Sequence, residues 1–231
     1  RVFQQKIVSL LFITTMLFSV FVNADTQWRK LDVNNAIVMT LPHGQVVIEL
    51  APQFSPKHVA QFSRLISKGF YNDNKFYRVI DGFVAQGGPD ESVPDAPLLK
   101  IEGEWSTGDS WPFTKVQDKD LFAEQTGFKD GFAIGLNPSE NKAWLAHCPG
   151  VLAMARSNEA DSASSHFYFT IGQAPRYLDR IMTVFGRVVY GMEHIQAIQR
   201  TNVVEGDTPV KKSDFTTILS MKLMKNIPIK Q

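Results

Sequence analysis

Cysteine is all but missing from this chain: Cys148 is the only one in 231 residues, so no disulfide can form within it. A core of the size this length allows needs no such staple, and an oxidising compartment remains open to it. Charge of one sign is not in excess either. Lys and Arg number 24 against 23 Asp and Glu, a net +1, which excludes the strong basic field that non-specific binding to nucleic acid or anionic lipid requires. Internal repeats and low-complexity segments are absent. So is a Gly-x-Ser-x-Gly elbow, so Asp161, Ser165 and His166 do not read as a hydrolase triad, whose members are usually far apart in sequence. His147-Cys148 has no second pair at ligand spacing, so no metal is expected there and Cys148 reads as a buried thiol. Asp118-Lys119-Asp120 lacks the glycine and terminal glutamate of a calcium loop. Asn137-Pro138-Ser139 carries proline where a glycosylation acceptor forbids it.

There is one long apolar run, Ile7 to Val22, and it falls short of the about 20 residues a spanning helix needs. Arg1 and Lys6 precede it and Val22-Asn23-Ala24 follows, the pattern of a secretory signal cut after Ala24. Residues 1–24 hold those two positive charges and no negative one, so their removal takes the net charge from +1 to −1. The expected mature part is 25–231, periplasmic or otherwise secreted, with no stable membrane insertion. Retention of the run would instead make an anchored envelope component.

Beyond the leader the chain reads as short strands with two helices. Ile37, Met39 and Leu41, then Val46, Ile48 and Leu50, alternate around a Pro42-His43-Gly44 turn, which predicts a hairpin with one buried face. Ser55-Pro56 opens a helix, with Ser as cap and Pro at its first position; Val59, Phe62, Leu65 and Ile66 form the apolar stripe and Gly69 the stop. Strand patterns recur at Gly150 to Ala155, Phe167 to Ile171, Thr183 to Val189 and Phe215 to Leu223. Met192 to Gln199 is a short amphipathic helix. Many short strands and two helices predict an all-β barrel or sandwich.

Phe76-Tyr77-Arg78-Val79-Ile80-Asp81-Gly82-Phe83-Val84-Ala85-Gln86-Gly87-Gly88 holds two apolar runs that read as strands, with Asp81-Gly82 between them. Arg78 and Gln86 are strong hydrogen-bonding groups where a sheet favours apolar residues, and Phe83 offers an apolar floor beside them. Arg78 alone would read as a sheet-face arginine in an ion pair, Gln86 as a partner for backbone groups, and Phe83 as core. Together they read as a site.

The Arg-x-x-x-x-Phe-x-x-Gln-Gly-Gly pattern resembles the signature of the cyclophilin-type peptidyl-prolyl cis-trans isomerases, in an exported bacterial form. Leu152 to Ser157, Ser165 to Phe169, Tyr177-Leu178-Asp179, Met182 and Val184-Phe185-Gly186 extend the resemblance, which covers about residues 36–224. It implies a mainly β fold, a closed antiparallel eight-stranded barrel capped by two α-helices. A long inserted loop region over about 89–148, with some strands packed on the body, departs from the family. It further implies Arg78, Phe83 and Gln86 as catalytic residues. The implied peptide contacts are Val84, Ala155, Arg156, Ser157, His166, Tyr168, Tyr177, Leu178 and Met182, with Tyr168 and Leu178 walling the proline ring and the Ala155–Arg156 backbone bonding the substrate. Arg156, His166, Tyr177 and Met182 stand where asparagine, glutamine, tryptophan and histidine are common. The third of these argues against tight binding of cyclosporin. His166 adds a group that titrates near neutrality.

Rotation about an X-Pro bond breaks no covalent bond, so no nucleophile, metal or cofactor is expected. The barrier of about 18–20 kcal/mol comes from the delocalised nitrogen lone pair. Twisting returns that pair to nitrogen, and a guanidinium aimed there binds the twisted state better than either planar one. The resemblance thus implies a monomeric isomerase acting on proline-containing polypeptides and speeding the folding of exported proteins. The competing reading is a peptide-binding module or holdase in which segment 98–148, rich in Trp and Phe, contacts clients.

Overall fold

The computed structural model describes residues 29–89, 96–108, 111–201 and 211–228. The leader expected over 1–24 lies outside them. Along the body the strands are β1 (Ala36–Leu41), β2 (Gly44–Leu50), β3 (Lys75–Ile80) and β4 (Val84–Gly88), with helix α1 (Pro56–Ser67) between β2 and β3. There follow β5 (Trp105–Ser106), β6 (Thr114–Asp118), β7 (Gln125–Lys129), β8 (Phe132–Asn137) and β9 (Lys142–Leu145). The chain then returns through β10 (Val151–Met154), β11 (Phe167–Thr170), β12 (Val184–Tyr190), helix α2 (Met192–Gln196) and β13 (Ser220–Leu223).

Eight of these strands form one antiparallel sheet in the order β13-β1-β2-β12-β10-β11-β4-β3. Its inner face carries the alternating residues the sequence predicts. Ile37, Met39, Val46 and Ile48 are fully buried with Phe76, Phe167, Phe169 and Phe185. The α1 stripe of Val59, Phe62, Leu65 and Ile66 closes over them. The rings of Phe62, Tyr71, Phe76, Phe167 and Phe185 meet mostly edge to face, the arrangement their quadrupoles favour.

Four expectations change here. The sheet curls into a half-barrel and is not closed by a ladder: β3 and β13 are its two ends. Between them run one bridge, Lys75 to Thr217, and the hydrogen bonds Phe76 N to Thr216 O (3.0 Å) and Ile218 N to Asn74 O (2.8 Å). The strand expected from Phe215 makes only that bridge before regular pairing starts at Ser220, and α2 ends at Gln196. The Ser55 cap is also different. Ser55 Oγ is buried and donates to Val184 O (2.7 Å). The free N–H groups of α1 are instead accepted by the Glu102 carboxylate, which takes Lys57 N (3.1 Å) and His58 N (3.1 Å), and its Oε2 also bonds His58 Nδ1 (2.7 Å). A carboxylate at a helix N-terminus gains both hydrogen bonds and the dipole, more than a neutral hydroxyl offers.

The inserted region is a sheet of its own. Its five strands run β5-β9-β8-β7-β6, all antiparallel. Phe132, Ile134 and Leu136 of β8 and Ala143 and Leu145 of β9 cluster with Val84, Val151, Ala153, Tyr168 and Val184, residues that alternate with the inner set along the body's strands. Both faces of β10 and β11 are therefore covered, and every residue of both strands is buried.

Candidate active site

The β3–β4 hairpin presents the first half of the site. Phe76 pairs with Gly87 and Arg78 with Gln86, so β3 has one residue more than β4 across that step, and Tyr77 is the bulged residue. In a regular strand Tyr77 and Arg78 would point to opposite faces; a bulge re-aims one of them. Both consequently reach the same side chain. Arg78 Nη1 donates to Gln86 Oε1 (3.2 Å), and Gln86 Nε2 donates to the Tyr77 hydroxyl (2.6 Å). The Tyr77 hydroxyl also meets His166 Nδ1 at 2.9 Å. Gly88 makes this last contact possible: its φ is +148°, and a Cβ there would lie 2.7 Å from His166 Nδ1.

Opposite stand Ala155 and Arg156, just after β10, Tyr168 of β11, and Leu178 and Met182 from the loop before β12. With Arg78, Phe83, Val84 and Gln86 they enclose a cleft of about 380 Å³. Val84 and Tyr168 form its buried floor, while Arg78 is exposed at its mouth. Ser157 and His166 lie beyond, in an adjoining cleft of about 300 Å³ whose dividing wall is Gln86, Ala155 and Arg156. Tyr177 does not line either cleft. It is 61% exposed and stacks on Phe83 (6.2 Å between centroids), so it covers the rim. The Ala155 N–H is taken up by His166 O (2.8 Å), so what Ala155 can offer a peptide is its carbonyl. The Arg156 guanidinium is held by the carbonyls of Ile181, Ser157 and Asn158.

The floor is pinned from behind by residues the sequence did not mark for this role. His147 is fully buried, with Nε2 at 2.9 Å from the Tyr168 hydroxyl and Nδ1 at 3.0 Å from Asp179 Oδ1. Asp179 also accepts from His147 N (2.8 Å), Trp144 Nε1 (3.0 Å) and Arg176 Nε (2.6 Å). Burial alone would raise the Asp179 pKa, but these donors and the Arg176 charge hold it below the ordinary aspartate value. Burial pushes the Tyr168 phenol far up, the Asp179 charge adding to it, so Tyr168 stays neutral. Burial likewise raises Tyr77 and lowers His166. His147 thus sits in a network of proton donors and acceptors. Its partners are 21 and 32 residues away, and no local spacing announces them.

Comparison with known proteins decides the family. The family model described as cyclophilin-type peptidyl-prolyl cis-trans isomerase matches residues 36–223. The chain belongs to the cyclophilin-type peptidyl-prolyl isomerases. A Brucella suis protein named "Probable peptidyl-prolyl cis-trans isomerase" is 33% identical over 186 residues, 79% of this chain and 80% of that one. The isomerase CYP23 of Arabidopsis thaliana is 30% identical, over 80% of this chain and 69% of its own. Among solved structures, the cyclophilin AquaCyp293 from Hirschia baltica superposes with a TM-score of 0.73 at 29% identity, covering 87% of this chain and 78% of that one. A Cryptosporidium parvum cyclophilin, solved in the presence of the dipeptide Ala-Pro, shares the fold at 19% identity, covering 81% of this chain and 98% of that one, with a TM-score of 0.51. In this isomerase the signature hairpin and the two later blocks, scattered over a hundred residues of sequence, meet at one cleft.

Proposed function

We propose that this isomerase turns X-Pro bonds in exported polypeptides, with Arg78 as the donor to the proline nitrogen of the twisted amide. The observation that carries this reading is the guanidinium at the mouth of an apolar cleft, tethered by Gln86. The proline ring sits on Val84 and Tyr168 between Phe83, Leu178 and Met182, where exclusion of water strengthens the hydrogen bond. Gln86 holds one edge of the guanidinium so that the rest of the fork points into the cleft, and arginine stays charged while it does so. A donor of this kind contributes about a hundred- to a thousandfold to turnover. The test is cis/trans exchange of an X-Pro peptide by wild type and Arg78→Ala. Arg78 is exposed, so the variant should fold as wild type and lose activity by that factor. Full activity in the variant would overturn the role of Arg78.

Export is supported by the leader-like residues 1–24, and with it goes the reading of a monomer that speeds folding of other exported proteins. Among the described residues, no helix is long and apolar enough to cross a membrane. N-terminal sequencing of the exported protein tests the cut after Ala24; a retained run would favour the anchored form.

The holdase reading draws on a different observation: Leu121 is 94% exposed, with Phe122 and Phe128 partly so, on the inserted region. Trp144 is fully buried, and Trp105 and Trp111 pack on the second apolar cluster. Client contact would therefore fall to the exposed apolar residues, Leu121, Phe122 and Phe128 with Leu98 and Val116. Their joint replacement by serine, with client capture lost and peptide turnover kept, would favour it.

A further inference from the structure

We propose that Tyr77 and His166 are positioning residues: an uncharged His166 fixes the Tyr77 hydroxyl, which fixes the Gln86 amide, which aims Arg78. The inference rests on Arg78 being the donor. A guanidinium only donates. Facing Arg78 Nη1 at 3.2 Å, Gln86 must therefore present its oxygen, and its NH₂ must face Tyr77 at 2.6 Å. The Tyr77 oxygen accepts that N–H, so its own proton is free to be donated, and the partner at 2.9 Å is His166 Nδ1. That nitrogen can accept only while it carries no proton. The relay thus runs in one direction and requires neutral His166 with its proton on Nε2.

Protonation reverses the last link. Nδ1–H would then point at a phenol oxygen already occupied by Gln86, and the phenol proton would lose its acceptor. Turning the Gln86 amide over would satisfy Tyr77 but set NH₂ against the guanidinium, donor against donor. Either way Arg78 loses its guide. Burial favours the neutral ring, and of the charged residues lining the two grooves beside His166, Lys75 and Lys212 in one and Arg156 in the other, none is a carboxylate among the described residues. The Tyr77 bulge and Gly88 are the backbone features that bring these side chains together.

The test is the pH profile of kcat/KM for an X-Pro peptide with no group titrating in the range, read by NMR exchange. Wild type should lose about threefold or more between about pH 8 and about pH 5, with its midpoint at the titration of the His166 ring followed by NMR in the same protein. His166→Gln supplies a neutral acceptor. Normalised to its own value at the upper pH, it should stay flat. Tyr77→Phe should lower kcat about tenfold, with KM changed far less, and should also flatten the profile. His166→Gln with the wild-type slope would overturn the proposal, as would Tyr77→Phe with wild-type kcat. Should Tyr77→Phe fail to fold, the His166→Gln profile decides. Arg78→Ala separates the two levels. Full activity there removes the reading of the cleft and the relay with it. Loss of activity there, with Tyr77→Phe and His166→Gln indistinguishable from wild type, removes the relay alone.

Discussion

The two sheets of this molecule are held by different forces. The eight-stranded body is closed over by hydrocarbon: five fully buried phenylalanines, Phe62, Phe76, Phe167, Phe169 and Phe185, meet inside it with no charge among them. The inserted sheet rests partly on apolar contacts, but several of its outer attachments are ionic and converge on one stretch, Arg176 to Arg180. Arg176 bonds Asp120 and Asp179 and lies over Phe122. Arg180 bonds Glu104 and Glu140 and lies over Trp144. Leu178, a wall of the cleft, sits in the middle of that stretch. An apolar core offers salt no charge to screen, whereas partly exposed ion pairs are weakened by it. One region should therefore hold its shape under conditions that loosen the other.

The largest effects should come from the points where each region is most committed. Phe167→Ala opens a cavity in the body and should destabilise by about 3–5 kcal/mol, measured by urea unfolding, to the same extent at low and high salt. Asp179→Ala strips the shared acceptor from the buried donors of Trp144 and His147 and leaves Arg176 with Asp120 alone; at about 1–3 kcal/mol for each buried donor left without a partner, it should cost a comparable amount, about 3–5 kcal/mol. Unlike Phe167→Ala, it should also lower kcat, since His147 then no longer holds Tyr168. Equal kcat in both variants would erase the distinction between the regions.

A smaller effect is expected at Glu102→Ala, about 1–2 kcal/mol, from loss of the α1 cap. Acid should separate the regions further. Burial depresses His58 below the ordinary histidine value despite Glu102, so the unfolded chain takes up that proton first. Stability from His58 is present above about pH 6.5 and lost as pH falls through its lower folded value. Asp179 is also depressed, and its contribution is lost only below the ordinary aspartate value of about 3.9. Hydrogen exchange should show α1 loosening before the Trp144 region as pH falls; the reverse order would contradict these assignments. The smallest effect belongs to Arg180→Ala, about 0–1 kcal/mol, visible as weaker protection of β5 and β9 and diminished by salt.

Much of this was legible in the residues. The β1–β2 hairpin and the α1 stripe follow from alternation and a 3.6-residue period. Arg78, Phe83, Gln86, Tyr168, Leu178 and Met182 do meet at one cleft. What escaped has common physical causes. Glu102 replaces Ser55 as the cap from 44 residues beyond His58, and nothing local to either marks the pairing. Tyr77 was passed over because strand alternation puts it on the face away from Arg78, and only the bulge revokes that. Tyr177, expected as a peptide contact, stacks on Phe83 at the rim and does not line the cleft itself. The inserted region did not read as a sheet because β6 is exposed along its whole length and shows no alternation, while Trp and Phe fall on several of its faces.

By itself the sequence determined the family, the strand and helix content of the body and the chemical types present at the cleft, because each is written in residue identity and short-range period. The tertiary structure decided which of these groups touch. The bulge at Tyr77, the acceptor that neutral His166 offers it, and the carboxylate of Asp179 behind Tyr168 all depend on contacts between residues far apart in the chain. Hydrogen bonds weaken steeply outside a narrow range of distance and angle, so only folded geometry could choose among the partners composition allowed.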